Sequence, residues 1–101
     1  MKKWERVGVV GVDAGLCWIG DPGYVVTPDA DEHPAKTWNE FVTDLQNNQS
    51  YLQTGVRQYN YKMGHPGLGV CIGGFGGDGT FNVFVRRDDD GRIAEAKVVF
   101  G

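Results

Sequence analysis

Residues 80–100 leave this chain little conformational choice. The runs TFNVFVRR (80–87) and RIAEAKVVF (92–100) are rich in β-branched and aromatic residues, and DDDG (88–91) lies between them. An Asp-Gly tip supplies the positive φ that a tight turn between antiparallel strands demands. The segment therefore predicts a β-hairpin, and a lone hairpin is marginal in water until other elements cover one of its faces.

The rest of the chain offers those elements. Residues 5–12 (ERVGVVGV) read as a strand, 13–15 as a turn and 16–19 (LCWI) as a short buried strand. Gly20-Asp21-Pro22-Gly23 is a dense breaker cluster, and Tyr24-Val25-Val26 predicts a brief third extended piece. After a loop at 27–36, Thr37 and Glu40 form a capping-box pattern. Trp38, Phe41, Val42 and Leu45 then fall on one helical stripe that Asn47-Asn48 ends. Loose alternation predicts a strand at 56–61, a turn at 64–67, a buried strand at 68–72 and a glycine-rich loop at 73–79. The expected fold is α+β: a mainly antiparallel sheet of about five to six strands, as a compact sandwich or open barrel, with one amphipathic helix near 37–47. At 101 residues the chain is expected to form one domain.

Composition narrows the function. A net charge of −3 argues against nucleic acid as a partner, since such binders need Lys and Arg to neutralise phosphates. Cys17 and Cys71 sit in apolar runs and are expected to be free, buried thiols in a reducing cytoplasm. No leader pattern and no long apolar run suggests a membrane partner.

Three segments, GVDAGLCWIGDP (11–22), GLGVC (67–71) and GDGTF (77–81), together with the ending 84–100, resemble small uncharacterised proteins of phages and bacterial genomes. The C-terminal half is also similar to a bacterial domain of unknown function. Those relatives often carry cysteine where this chain has Gly23. The resemblance implies a phage or prophage context, hence a host-cell cytoplasm, and no particular chemistry.

The candidate sites each have two readings. Gly73-Gly74-Phe75-Gly76-Gly77-Asp78-Gly79 is either a tight strand connection or a nest of backbone N–H groups for an anion. It is neither a Walker loop nor a dinucleotide fingerprint, because a strand follows it. Asp21 and Asp78 (and more weakly Asp13) either bond their own turns or pair around Mg²⁺. His65 is a turn residue or a ligand contact. With His33 as the other histidine, the spacing is poor for zinc. Trp18, Tyr24, Tyr59, Tyr61 and Phe75 are core or stack on a purine, with Arg57, Lys62, Arg86 or Arg87 meeting phosphate. Arg86-Arg87 beside the three aspartates reads as a self-compensated hairpin tip.

The leading functional expectation is non-enzymatic binding of a small anionic ligand, such as a nucleotide-derived signal sequestered by a phage anti-defence protein. Its expected ligand-binding residues are Trp18, Asp21, Tyr61, His65, Gly74, Phe75, Gly76, Gly77 and Asp78, with no catalytic group, metal or cofactor and a pocket shared in a homo-oligomer. A second reading is an inhibitor of a host protein, contacting it through the acidic loop 29–32 and the tip 88–90. A third is a metal-dependent phosphodiesterase using Asp21 and Asp78.

Overall fold

The computed structural model describes residues 2–26 and 35–101, so the acidic loop 29–32 and His33 lie outside the described residues. In chain order the elements are β1 (Glu5–Val12), β2 (Cys17–Gly20), α1 (Gly23–Val26), α2 (Trp38–Gln46), α3 (Gln49–Thr54), β3 (Val56–Asn60), β4 (Pro66–Ile72), β5 (Gly79–Arg87) and β6 (Ile93–Val99). The fold is α+β, with two three-stranded antiparallel sheets and three short helices among the described residues. Among the described residues no helix is long and apolar enough to cross a membrane. Two compact units divide the chain, one of residues 1–15 and 77–101 and the other of residues 16–76.

In the first unit the predicted hairpin is β5–β6, and β1 adds to its other side in the order β1-β5-β6. Period-two alternation puts Val10, Val12, Phe81, Val83, Val85, Ala96 and Val98 on one face. The opposite face is mixed, with Val9, Phe84 and Val99 among Arg6, Asn82, Arg86 and Lys97. Arg6 Nε donates to Asn82 Oδ1 at 2.8 Å, and the Trp4 ring takes the Arg86 guanidinium at 4.7 Å and the Lys97 ammonium at 4.1 Å. At the tip Gly91 has φ +82°, and the Asp88 carboxylate accepts from the backbone N–H of Asp90 and Arg92 at 2.9 and 3.0 Å. The tip is not self-compensated as expected. Arg86 pairs with Glu95 and Arg87 with Glu5, because the register sets those carboxylates beside them while Asp88 is spent on the turn.

The second unit is built on the sheet β2-β4-β3. Its register puts Trp18, Cys71, Arg57 and Tyr59 on one face. Leu45 from α2 is buried with Tyr59, Leu68 and Cys71, and Trp18 and Phe41 pack around them. Gly20 and Gly69 stand opposite each other, and the Trp18 indole lies across both. Helix α2 follows the predicted apolar stripe, with Leu45 buried and Trp38 left 56% exposed at its start. Thr37 Oγ1 accepts from Glu40 N at 3.1 Å. The return bond of the box goes from Lys36 N, one residue earlier than expected, to the Glu40 carboxylate at 2.8 Å.

Two local expectations fail, both to capping chemistry. Residues 24–26 are helical rather than extended, because Asp21 winds the chain. Its carboxylate accepts from Gly23 N at 2.8 Å and its carbonyl from Tyr24 N at 3.2 Å, which outweighs the β preference of Val25 and Val26. Helix α3 was not anticipated. Asn48 caps it by accepting from Tyr51 N at 2.9 Å, and Gly55 ends it at φ +77°. One helix was expected near 37–47, and the described residues hold three.

Candidate functional site

Strand β4 decides which of the expected residues can act together. His65 precedes it and the glycine-rich loop follows it, so its seven residues hold them about 20 Å apart along the strand. Asp21, Tyr61 and His65 lie at the first end, where Gly20 faces Gly69 and Asn60 faces Pro66. Gly74, Phe75 and Gly76 lie beyond the other end, next to the Cys17–Ile72–Val56 row. Gly77 and Asp78 belong to the first unit. Trp18 is packed at 5.2 Å from the Tyr59 ring and 6.2 Å from Phe41, within the core of its unit.

The glycine-rich loop spends one donor on its own connection. Gly73 N donates to Gly55 O at 2.7 Å. Gly74, Gly76 and Gly77 take positive φ (74°, 99° and 99°), so the hand alternates at Gly73–Gly74 and Phe75–Gly76, as a two-residue nest requires, but not at Gly76–Gly77. Asp78 then presents an exposed carboxylate.

The opposite end is different in kind. Tyr61 N donates to His65 O and Gly64 N to Tyr61 O, both at 2.8 Å, closing a turn in which Gly64 has φ +103°. The turn stacks the His65 imidazole on the Tyr61 ring, with centroids 4.6 Å apart and planes 25° apart. Tyr24 meets Tyr61 edge-on at 5.8 Å and 73°. A Cβ on Gly67 (φ +132°) would come within 2.8 Å of the Tyr61 ring, so only glycine lets that ring lie flat there. His65 is exposed, and the rim carries exposed Val25 and Met63. Asp21 serves this end indirectly, since the turn it caps places Tyr24 against Tyr61. Tyr24, read from the sequence as core or as a purine-stacking ring, is the platform member absent from the expected ligand-binding residues. Its signal was present in Asp21-Pro22-Gly23, a helix-starting turn three residues long.

Of the four cations expected to meet phosphate, three are held by carboxylates: Arg57 by Asp44, Arg86 by Glu95 and Arg87 by Glu5. Lys62, the fourth, sits in the platform turn beside Tyr61 and has a contact of its own. Arg57 also covers the Tyr59 ring at 4.3 Å, and Tyr59 Oη donates to Asp44 Oδ2 at 3.2 Å. Burial pushes the Tyr59 hydroxyl well above the ordinary phenol range.

Cys17 and Cys71 are free and buried, and the β2–β4 register points them to opposite faces. Burial raises both thiols, Cys71 to about 11. A thiol that keeps its proton longer when folded stabilises the protein below its unfolded pKa, and that contribution is lost as pH rises. Stability should therefore fall between about pH 9 and 11, where the unfolded chain ionises first. Urea midpoints at pH 8 and 10.5 check this, and Cys71→Ala should flatten the difference. Iodoacetamide should modify neither thiol of the native protein at pH 8 within the time that labels the unfolded chain completely.

Among the described residues no group of three or more His, Cys, Asp or Glu side chains could hold a metal ion. No protein family matches this chain, and no curated protein or solved structure matches it.

Proposed function

We propose that this protein binds a small planar ligand, without transforming it, on the platform of Tyr24, Tyr61 and His65. The observation that carries the reading is the exposed His65 ring stacked on Tyr61, with Tyr24 bracing it from the side. Stacked rings held by a closed turn lose little entropy when a further ring joins the column, and such stacking contributes about 1–3 kcal/mol per base. The stacked column suits the base of a nucleotide-derived ligand. Sequestration of such a signal needs neither general base nor metal, so it agrees with the residues assembled here.

Native mass spectra recorded with a panel of cyclic and ADP-ribose-type nucleotides test this. One member of the panel should add its mass, and Tyr61→Ala should weaken that binding at least tenfold while the protein stays folded. Binding unaffected by Tyr61→Ala would remove the platform from the account. The inhibitor reading keeps one specific observation, the exposed carboxylates of Asp89 and Asp90 at the hairpin tip. A basic protein captured in a salt-sensitive way through those two residues would favour it.

A further inference from the structure

We infer that the outer edge of β6 is a docking strand for a second copy of this chain, paired antiparallel about Ala96. In the sheet β1-β5-β6, β6 pairs with β5 alone among the described residues. The backbone amides and carbonyls of alternate residues in 95–99 therefore point away from the sheet. Proteins close such an edge with proline or with a lysine standing over it. Strand β6 has no proline, and its one lysine leans the other way. Lys97 Nζ lies 4.1 Å from the Trp4 ring and 5.7 Å from the Phe84 ring, over its own sheet.

The sequence of β6 selects the partner. Two antiparallel copies of one strand are related by a two-fold axis, which sets one residue opposite itself and keeps every side chain on its own face. Ala96 is the midpoint of β6, flanked by Glu95 and Lys97. With Ala96 opposite Ala96, Glu95 of each copy faces Lys97 of the other. Both lie on the face that carries Arg86 and Phe84. Arg86 already holds Glu95, so the ion pair extends into a ladder that ends on Lys97 of the second copy. Lys97 is exposed, and its flexible stem can swing from Trp4 to that carboxylate. Val98 of each copy then meets Ala94 of the other, where β6 carries its bulge. A shift of one residue sets Glu95 against Glu95 or Lys97 against Lys97, which is repulsive. A shift of two sets Glu95 against Ile93 or Lys97 against Val99. The other edge, β1, has no charge between Val7 and Val12 and so nothing of this kind to fix a register.

Sedimentation equilibrium of the full chain from about 5 µM to 0.5 mM tests this. The mass should rise from monomer toward dimer, and less at 300 than at 20 mM NaCl, because exposed ion pairs are screened. Lys97→Glu and Glu95→Lys should each stay monomeric, since each sets like charges opposite one another. Their equimolar mixture should form a heterodimer in which every charge on the edge meets its opposite. Circular dichroism checks that both variants are folded. Hydrogen exchange needs no variant, and it decides the question if Glu95→Lys, which also loses the Arg86 pair, does not fold. The slowest-protected amides at 95–97 should exchange at least about twofold more slowly at 0.5 mM than at 5 µM. A wild-type monomer at 0.5 mM, a dimer that both variants keep, a mixture that stays monomeric, or exchange at 95–97 indifferent to concentration would each overturn the inference.

Discussion

Gly69→Ala should destabilise the protein by about 2–4 kcal/mol, a larger loss than most single substitutions produce. The added methyl would point into the Trp18 indole, which lies across the Gly20–Gly69 pair. The ring has little room to yield. It also packs against Tyr59 and Phe41, and Tyr59 is itself buried with Leu45, Leu68 and Cys71. On the strand partner, a Cβ at Gly20 would sit 2.9 Å from the Leu68 carbonyl oxygen, which is backbone and cannot rotate away. Gly8 provides the control, because nothing stands within 4 Å of a Cβ there. Urea denaturation of Gly69→Ala and Gly8→Ala side by side should show a large fall in midpoint for the first and a change within about 0.5 kcal/mol for the second. Equal effects would mean that Trp18 does not rest on Gly69.

The second large effect is expected at Asp44. Its carboxylate accepts from the Arg57 guanidinium and from the Tyr59 hydroxyl, so one side chain of α2 satisfies two partners on β3. Arg57 is only 19% exposed. Asp44→Ala therefore leaves a largely enclosed cation with, among the described residues, the backbone carbonyl of position 44, 3.3 Å from Nη1, as its acceptor. The expected cost is about 1–3 kcal/mol, well above that of an open surface pair. Asp44→Asn keeps an acceptor for Tyr59 and should cost less. A double-mutant cycle of Asp44→Ala with Tyr59→Phe separates the hydroxyl bond from the ion pair, and a coupling near zero would show that Tyr59 does not use Asp44.

The parts of the fold that were legible in the sequence are those where local and global preferences agree. The β5–β6 hairpin has strand-forming residues and a glycine where the turn needs one. Helix α2 has its cap and its stripe in register with Leu45, the residue that the core takes. Legibility failed where a polar side chain bonded nearby backbone and overrode residue type, as Asp21 does for α1 and Asn48 for α3. The site was only partly legible. The closeness of Tyr61 and His65 was legible, because four residues and a turn separate them. Their distance from Gly74, Phe75 and Gly76 was legible too, since the strand predicted at 68–72 lies between the turn and the loop. The commitment of Arg57, Arg86 and Arg87 to carboxylates was not, because their partners come from register between strands and packing between elements. For Arg87 the partner, Glu5, is 82 residues away.

The most direct test of the central claim is a backbone amide NMR titration of the ¹⁵N-labelled protein with cyclic AMP. Ligand on the platform should move the resonances of Tyr24, Tyr61, Lys62, Met63, Gly64 and His65 together, and leave those of Gly73, Gly74, Phe75 and Gly76 at the far end of β4 in place. Shifts confined to the glycine-rich loop, with the Tyr61–His65 turn unmoved, would contradict the assignment and return the ligand to the loop.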